Sequence, residues 1–296
     1  MKNNLFLGIS TSLFLFAANS LNARGNLAYQ STFNKNEIQN LIINLSSEDL
    51  IIENTMNEEI TIEVYTNNRK RIPDVIKDKD TLSINTKKNL SIRIGEYCKV
   101  YVYIPQENSL SKAKIHLSSG NIELPTFKAS KLDIVASSGN IKAKKLLSDE
   151  CNLLCTSGDI KIETLEGGEC NMSSSSGNLS FITVKSQSAN FKCTSGNIKI
   201  ASISCEVFSA ITTSGNITIK NATADYFTAK GTSGNLEVEL CKAPLAESTL
   251  FATSGNISLS IPKTDSFSVE AQTTSGTFND RIKNIKSVPL YAVFCI

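Results

Sequence analysis

Apolar and polar residues alternate around a short motif, Ser/Thr-Ser-Gly-Asn, that recurs nine times between residues 118 and 277. Its glycines are 19 residues apart over the first six intervals and 21 apart over the last two. The residues two places after and five places before each glycine are apolar, and their immediate neighbours are mostly polar or small. Such period-two alternation on both sides of a glycine is typical of half-buried strands joined by a corner.

A repeat of about 20 residues indicates a solenoid, because each repeat buries its apolar face only by stacking on its neighbours. The sequence therefore predicts an all-β, single-chain parallel β-solenoid, similar to a β-helix, with about 19 residues per coil. Nine coils stacked about 4.8 Å apart would form a rod roughly 43 Å long. The general preference of crossover connections predicts a right-handed solenoid.

The corner motif is predicted to be structural. Glycine suits a corner that needs a positive φ or a close backbone approach, and an asparagine beside it can bond local backbone and stack on the next asparagine. The predicted corner residues are Gly120, Gly139, Gly158, Gly177, Gly196, Gly215, Gly234, Gly255, Gly276, Asn121, Asn140, Asp159, Asn178, Asn197, Asn216, Asn235 and Asn256.

The first 23 residues resemble a secretory signal peptide. Lys2 precedes a 14-residue apolar core, and cleavage is expected after Ala23, with Ser20 as the second candidate. The core is short for a membrane span, and no cysteine near the cleavage site indicates a lipoprotein anchor. We therefore expect an exported protein, in the periplasm, on the outer surface or secreted, without a transmembrane span after cleavage.

The rest of the chain divides by pattern into four segments. Residues 24–37 are polar and predict a flexible leader, and residues 38–110 hold five or six alternating runs that predict an N-terminal β-section covering the first coil. Residues 111–285 hold the repeats, and residues 286–296 predict a C-terminal capping strand.

The charge is balanced, with 30 basic and 28 acidic residues. This balance gives no electrostatic footprint for nucleic acid, so no nucleic-acid partner is expected. The densest basic run, Arg69-Lys70-Arg71, is followed closely by Asp74, Asp78 and Asp80 and predicts a solvated loop.

Eight cysteines raise the question of disulfides in an exported protein. Cys151, Cys155, Cys170 and Cys193 occupy inward-facing columns where other repeats carry Ala, Ser or Leu. Small buried thiols are the simpler interpretation. Cys151 and Cys170 share one column in adjacent coils and would be near enough to pair if oxidised.

No catalytic or metal-binding constellation is evident. The only histidine, His116, has no nucleophile motif around it and is expected on the surface, and Cys151 and Cys155 would share a strand face without converging on zinc. Lys142, Lys161 and Lys199 could form a basic stripe, but no carboxylate pair accompanies them. We predict a protein that is not an enzyme, with no catalytic residues, cofactor or metal.

The serial Ser-Gly-Asn/Asp-Ile motif, preceded by a strand from Val100 to Pro105, resembles the bacterial β-strand-repeat family of putative adhesins, a domain of unknown function. The resemblance covers about residues 40 to 285 and implies an exported or envelope-associated solenoid that adheres to a protein or glycan at the cell surface or envelope. The alternative is a structural or scaffolding protein of the periplasm or cell envelope.

Overall fold

The repeats form long strands that stack on one another in parallel. The computed structural model describes residues 25–87, 95–262 and 269–282. These residues contain nineteen strands, two short 3₁₀ segments (Lys35–Glu37 and Arg69–Arg71) and no α-helix. The strands are β1 (Leu27–Asn34), β2 (Asn40–Leu45), β3 (Asp49–Thr55), β4 (Glu59–Thr66), β5 (Asp74–Asp78), β6 (Thr81–Asn85), β7 (Cys98–Pro105), β8 (Leu110–Leu117), β9 (Ile122–Ala136), β10 (Ile141–Cys155), β11 (Ile160–Ser174), β12 (Leu179–Ser195), β13 (Ile198–Ser214), β14 (Ile217–Ser233), β15 (Leu236–Leu240), β16 (Ser248–Ser254), β17 (Ile257–Ile261), β18 (Val269–Ser275) and β19 (Phe278–Ile282).

Strands β9 to β14 carry the 19-residue repeat, and each pairs in parallel with the next. Equivalent positions lie side by side, so Ile141 pairs with Ile122 on one side and with Ile160 on the other. This pairing confirms the predicted parallel β-solenoid. Its handedness stays a prediction.

Each regular coil bends at three places, one of which is the Ser-Gly-Asn corner. In β10 the pairing with β11 is interrupted at Lys144 and at Asp149. The inside–outside alternation shifts phase at the same two places, because Ala143 and Leu146 are both buried and so are Ser148 and Cys151. A coil therefore has a downstream face (141–143 in β10), a middle face (145–148) and an upstream face (150–155), and these names are used for all coils.

Inward-facing side chains fill one continuous core. The columns two residues after and five residues before each corner glycine are buried wherever their side chains are described. Four phenylalanine rings contact one another in series through the middle coils, with centroid distances of 4.9 Å (edge-to-face), 5.8 Å (tilted) and 4.8 Å (stacked). These rings are Phe181, Phe191, Phe208 and Phe227. Each such aromatic contact adds about 0.5–1.5 kcal/mol beyond the area that it buries.

The N-terminal section contributes coils of its own to the parallel stack. β2 and β3 pair in parallel with β8 and β9, so Leu41 lies beside Ala113 and Leu50 beside Ile122. On their other side, β2 and β3 pair in parallel with β6 and β7. The order of strands in space therefore differs from their order in the chain. The parallel ladder also continues across residue 110, where the sequence suggested that a separate section ends.

The prediction of a flexible leader over residues 24–37 is wrong for Leu27–Asn34, which forms β1. This strand pairs antiparallel with β4, from Leu27 opposite Tyr65 to Asn34 opposite Glu59. β4 in turn pairs antiparallel with β7, and β5 with β6. The sequence pattern missed β1 because none of its residues is fully buried. Main-chain hydrogen bonds to a neighbouring strand leave little trace in apolar alternation.

Strands β15 to β19 form the last described coils, in which the spacing rises to 21 residues. Leu236 pairs with Ile257, and Ile257 pairs with Phe278. The predicted signal peptide (1–23) and capping strand (286–296) lie outside the described residues. In the part of the chain that the structure describes, no helix is long and apolar enough to cross a membrane.

Candidate binding surface

The predicted corner residues form a ladder along one edge of the solenoid. The backbone N–H after each corner glycine donates to the side-chain oxygen of its counterpart in the preceding coil, as from Asn140 to Asn121 Oδ1 at 3.1 Å. Asn178 Oδ1 accepts twice from Asn197, from the backbone N and from Nδ2, at 3.0 Å each. Both lone pairs of this oxygen are therefore used within the chain.

Close backbone contact explains the glycine at each corner. A Cβ atom on Gly139 would lie 1.9 Å from the carbonyl oxygen of Gly120, and the corner glycines from 120 to 255 all show such distances, between 1.8 and 2.3 Å. A positive φ occurs only at the last four described corners, Gly215, Gly234, Gly255 and Gly276. Of the two reasons that the sequence left open, close approach is the general one.

The structure reveals a further corner that the glycine search missed. Ser46-Ser47-Glu48-Asp49 follows β2 as Ser118-Ser119-Gly120-Asn121 follows β8. Asp49 Oδ1 accepts from the backbone N of Asn121 at 3.0 Å and so forms the first rung of the corner ladder. Glu48 stands in the glycine position and is 1% exposed.

The carboxylate of Glu48 satisfies backbone groups that the other corners satisfy with the preceding coil. At a regular corner, the N–H of Ser138 donates to the carbonyl oxygen of Ser118. Glu48 Oε2 instead accepts from the N–H groups of Ser46 and Ser47 at 2.8 and 2.9 Å. Arg71 packs beside it, with its guanidinium on Ser47 Oγ and 3.9 Å from Glu48 Oε1. Arg71 is 4% exposed, so the prediction that this basic run is solvated is wrong for it.

The four inward cysteines are buried, as predicted, and the described cysteines carry free thiols. Cys151 and Cys170 lie side by side in adjacent coils. Burial raises the pKa of Cys170 to about 12, and that of Cys205, which pairs with Ala224 on the middle face, also to about 12. Thiols with such high pKa values stay protonated and are poor nucleophiles.

The remaining sequence candidates do not converge. His116 is exposed on the upstream face of β8. Lys142 and Lys161 are neighbours, but Ser180 separates Lys161 from Lys199. Within residues 25–87, 95–262 and 269–282, no group of three or more His, Cys, Asp or Glu side chains could hold a metal ion.

A concave surface lies on the outer side of the upstream face. It is a groove of about 610 Å³ that crosses four coils, from β9 to β12. Its floor is a second ladder of polar side chains six residues before each corner glycine, and one wall is the column two residues further along the chain. We call it the amide groove, with floor residues Asp133, Asn152, Asn171 and Asn190 and wall residues Val135, Leu154, Ser173 and Lys192.

The floor side chains are held by hydrogen bonds along and across the coils. Asn152 Nδ2 donates to Asp133 Oδ1 at 3.1 Å, and Asn171 Nδ2 donates to Asn152 Oδ1 at 3.0 Å. Beside the floor, Lys131 Nζ contacts both oxygens of Glu150 at 2.7 Å. This hydrogen bond, aided by one from Asn152, lowers the pKa of Glu150, so Glu150 remains an acceptor at neutral pH.

The geometry is that of a parallel β-solenoid with a side-chain groove on its outer surface. A family model, Toastrack DUF4097, matches residues 38–167 and 149–287. The chain therefore belongs to the Toastrack DUF4097 family. A comparison of the sequence with curated proteins gives no significant match.

Two solved structures share the fold. A putative adhesin from Parabacteroides merdae superposes with a TM-score of 0.53 at 14% identity, over 88% of this chain and 98% of that one. A putative adhesin from Parabacteroides distasonis gives a TM-score of 0.51 at 13% identity, over 87% of this chain and 98% of that one. At this identity, the likeness concerns the fold.

The amide groove was not predicted from the sequence, although the column of polar residues that forms its floor is visible there. The signal was the run Asp133, Asn152, Asn171 and Asn190 at one repeat position. Sequence alone does not distinguish this column from the corner column, because both are rich in asparagine. The difference lies in what each side-chain oxygen accepts, which is a backbone N–H of the next coil in the corner column and a side-chain Nδ2 in the groove column.

Proposed function

We propose that this protein is an exported, non-enzymatic binding module that acts at the cell surface or in the cell envelope. The observation that carries the proposal is the amide groove, which crosses four coils on the outer surface. Amide and alkyl side chains dominate it, and such groups bind by hydrogen bonding and packing rather than by transferring protons. Rigid strands position them, which favours recognition of an extended partner.

The fold shared with two putative adhesins supports the same proposal, and the signal-like first 23 residues support export. The exported location remains part of the proposal. A structural or scaffolding role in the periplasm or envelope is the competing function. It predicts that the protein is not accessible on the surface of intact cells.

Antibody labelling of intact and permeabilised cells separates these functions. An epitope tag fits in the turn between β3 and β4, where Met56 is 86% exposed, because exposed turns tolerate insertions. The segment 67–79 is unsuitable, since it contains the buried Arg71 and strand β5. We expect labelling of intact cells. Labelling only after permeabilisation would favour the scaffolding role, and cytoplasmic retention would overturn export.

A matched adhesion assay tests binding itself. Beads coated with the purified chain are expected to attach to cells or extracellular matrix more than beads coated with a variant altered in the groove. Equal attachment of both would place the binding surface elsewhere on the solenoid.

A further inference from the structure

The hydrogen-bond donors of the groove floor are all used within the chain. Each amide nitrogen has two hydrogens, and each donates one to the preceding coil and the other to a side chain two residues earlier. The pairs are Asn152 with Asp133 (3.1 Å) and Glu150 (3.0 Å), Asn171 with Asn152 (3.0 Å) and Glu169 (3.0 Å), and Asn190 with Asn171 (3.1 Å) and Ser188 (3.4 Å).

The carboxylates of Glu150 and Glu169 fix which way two of the amides point. An ionised carboxylate only accepts hydrogen bonds, so the nitrogen of Asn152 has to face Glu150 and the nitrogen of Asn171 has to face Glu169. The amide oxygens then point along the ladder, where each accepts from the amide nitrogen of the next coil. The carboxylate that fixes each amide lies two residues before it on the same coil.

The oxygens of the floor, in contrast, retain acceptor capacity. Asn152 Oδ1 and Asn171 Oδ1 each receive one hydrogen bond from the described residues, although an amide oxygen can accept two. In the corner ladder, Asn178 Oδ1 receives two. Asn121 and Asn178 of the corner ladder are thus saturated by the chain, whereas the groove presents a row of acceptors at the coil spacing, about 4.8 Å apart.

We propose that the amide groove binds an uncharged, hydroxyl-rich polysaccharide chain that lies along the solenoid axis, a proposal that rests on the proposed binding function. Sugar hydroxyls are donors and would complete the second acceptor site of each oxygen. A polymer with a regular repeat can donate hydrogen bonds to acceptors that are spaced at regular intervals. The alkyl side chains of Val135 and Leu154, the latter 42% exposed, contact the C–H surfaces of the sugar rings.

Charge favours this ligand over a cationic peptide. The floor is three amides with one carboxylate, Asp133, at its end, and the wall carries the ammonium group of Lys192. Of the two nearby carboxylates, Glu150 is already paired with Lys131, and Glu169 accepts a hydrogen bond from Asn171. A polycation would therefore leave charge unpaired in the groove, which is costly. An added peptide strand would pair at a sheet edge, whereas the groove lies on a sheet face.

Calorimetric titration of the purified chain tests the proposal. The probes are three neutral polysaccharides (dextran, glucomannan and galactomannan), with polygalacturonate and poly-L-lysine as charged comparisons. The test variant replaces Asn152, Asn171 and Asn190 by threonine, which occupies the same column at Thr228 and Thr249. The control replaces Lys142, Lys161 and Lys199 by serine, which occupies that column at Ser180.

We expect at least one neutral polysaccharide to bind, with a Kd at least tenfold higher for the threonine variant and unchanged for the serine control. The single variant Asn171→Thr should show a smaller loss in the same direction if the triple variant folds poorly. No binding of any neutral polysaccharide would overturn the proposal, as would binding that both variants retain. Groove-dependent binding of poly-L-lysine instead would indicate a cationic partner.

These outcomes are separable from failure of the proposed function. Labelling of intact cells together with no polysaccharide binding would leave a surface module with another ligand. If the groove binds polysaccharide but the protein is found only in the cytoplasm, the proposed binding site stands and the proposed export is wrong.

Discussion

A Cβ atom on Gly196 would lie 2.2 Å from the carbonyl oxygen of Gly177, its counterpart in the preceding coil. Backbone atoms cannot rotate away as side-chain ends can, so the two coils would have to separate. Because the same contact recurs at each corner, the regular spacing of the glycines reflects how closely the backbones of adjacent coils approach each other.

Gly196→Ala is therefore expected to destabilise the fold by about 3 kcal/mol or more, the upper range for overpacking a close contact. Lys199→Ala, in the same coil on an exposed position, should change stability by less than about 0.5 kcal/mol. Denaturant unfolding of both variants measures the difference. Equal midpoints would contradict the close-approach account.

Glu48→Gly would complete the repeat motif and yet is expected to destabilise the protein. Removing the carboxylate deprives the Ser47 N–H of its acceptor and leaves Arg71 without its buried partner. Loss of one member of a buried ion pair costs about 3–5 kcal/mol. Glu48→Gln retains one acceptor oxygen, so its stability should lie between that of the original protein and that of Glu48→Gly. A Glu48→Gly variant as stable as the original would show that this corner needs no cap.

The corner and groove ladders should differ in their effect on stability. Asn178→Ala removes the acceptor of a backbone N–H in the next coil and should cost about 1 kcal/mol. Asn171→Thr removes side-chain hydrogen bonds on a half-buried face and should cost less, about 0.5 kcal/mol. Thermal unfolding of the two variants gives the order. The reverse order would mean that the groove ladder, rather than the corner ladder, holds the coils together.

Buried thiols should weaken the fold at alkaline pH. Burial raises the pKa of Cys170 from its ordinary value near 9 to about 12, with a smaller contribution from Glu169. The unfolded chain releases this proton near pH 9 while the folded chain retains it, so the free energy of unfolding falls between pH 9 and about 12. Cys170→Ala, which matches Ala189 in the same column, should lose less stability over this range. Parallel pH profiles would contradict the burial of a protonated thiol.

Residue pattern alone predicted the regular coils, because in them one glycine column and a few apolar columns repeat without interruption. It failed at Glu48, where a buried carboxylate takes the place of the glycine and accepts from the N–H groups of Ser46 and Ser47. It failed at β1, whose half-exposed residues carry no apolar alternation. The stacking of β6 and β7 outside β2 and β3 was also hidden, because strand order in space does not follow from strand order in sequence.

The groove shows a different limit of sequence analysis. Asn171 and Asn178 are the same residue type at two repeat positions, and only their partners distinguish them. The carboxylate of Glu169 takes one hydrogen of Asn171 and leaves its oxygen with a single hydrogen bond. The geometry of Asn197 instead fills both acceptor sites of Asn178.

The most direct test of the account follows the asparagine side-chain amide signals of ¹⁵N-labelled protein by NMR as a neutral polysaccharide is added. We expect the signals of Asn152, Asn171 and Asn190 to shift while those of the corner residues Asn121 and Asn178 stay in place. Binding that shifts the corner signals, or that leaves the three groove signals unchanged, would contradict it.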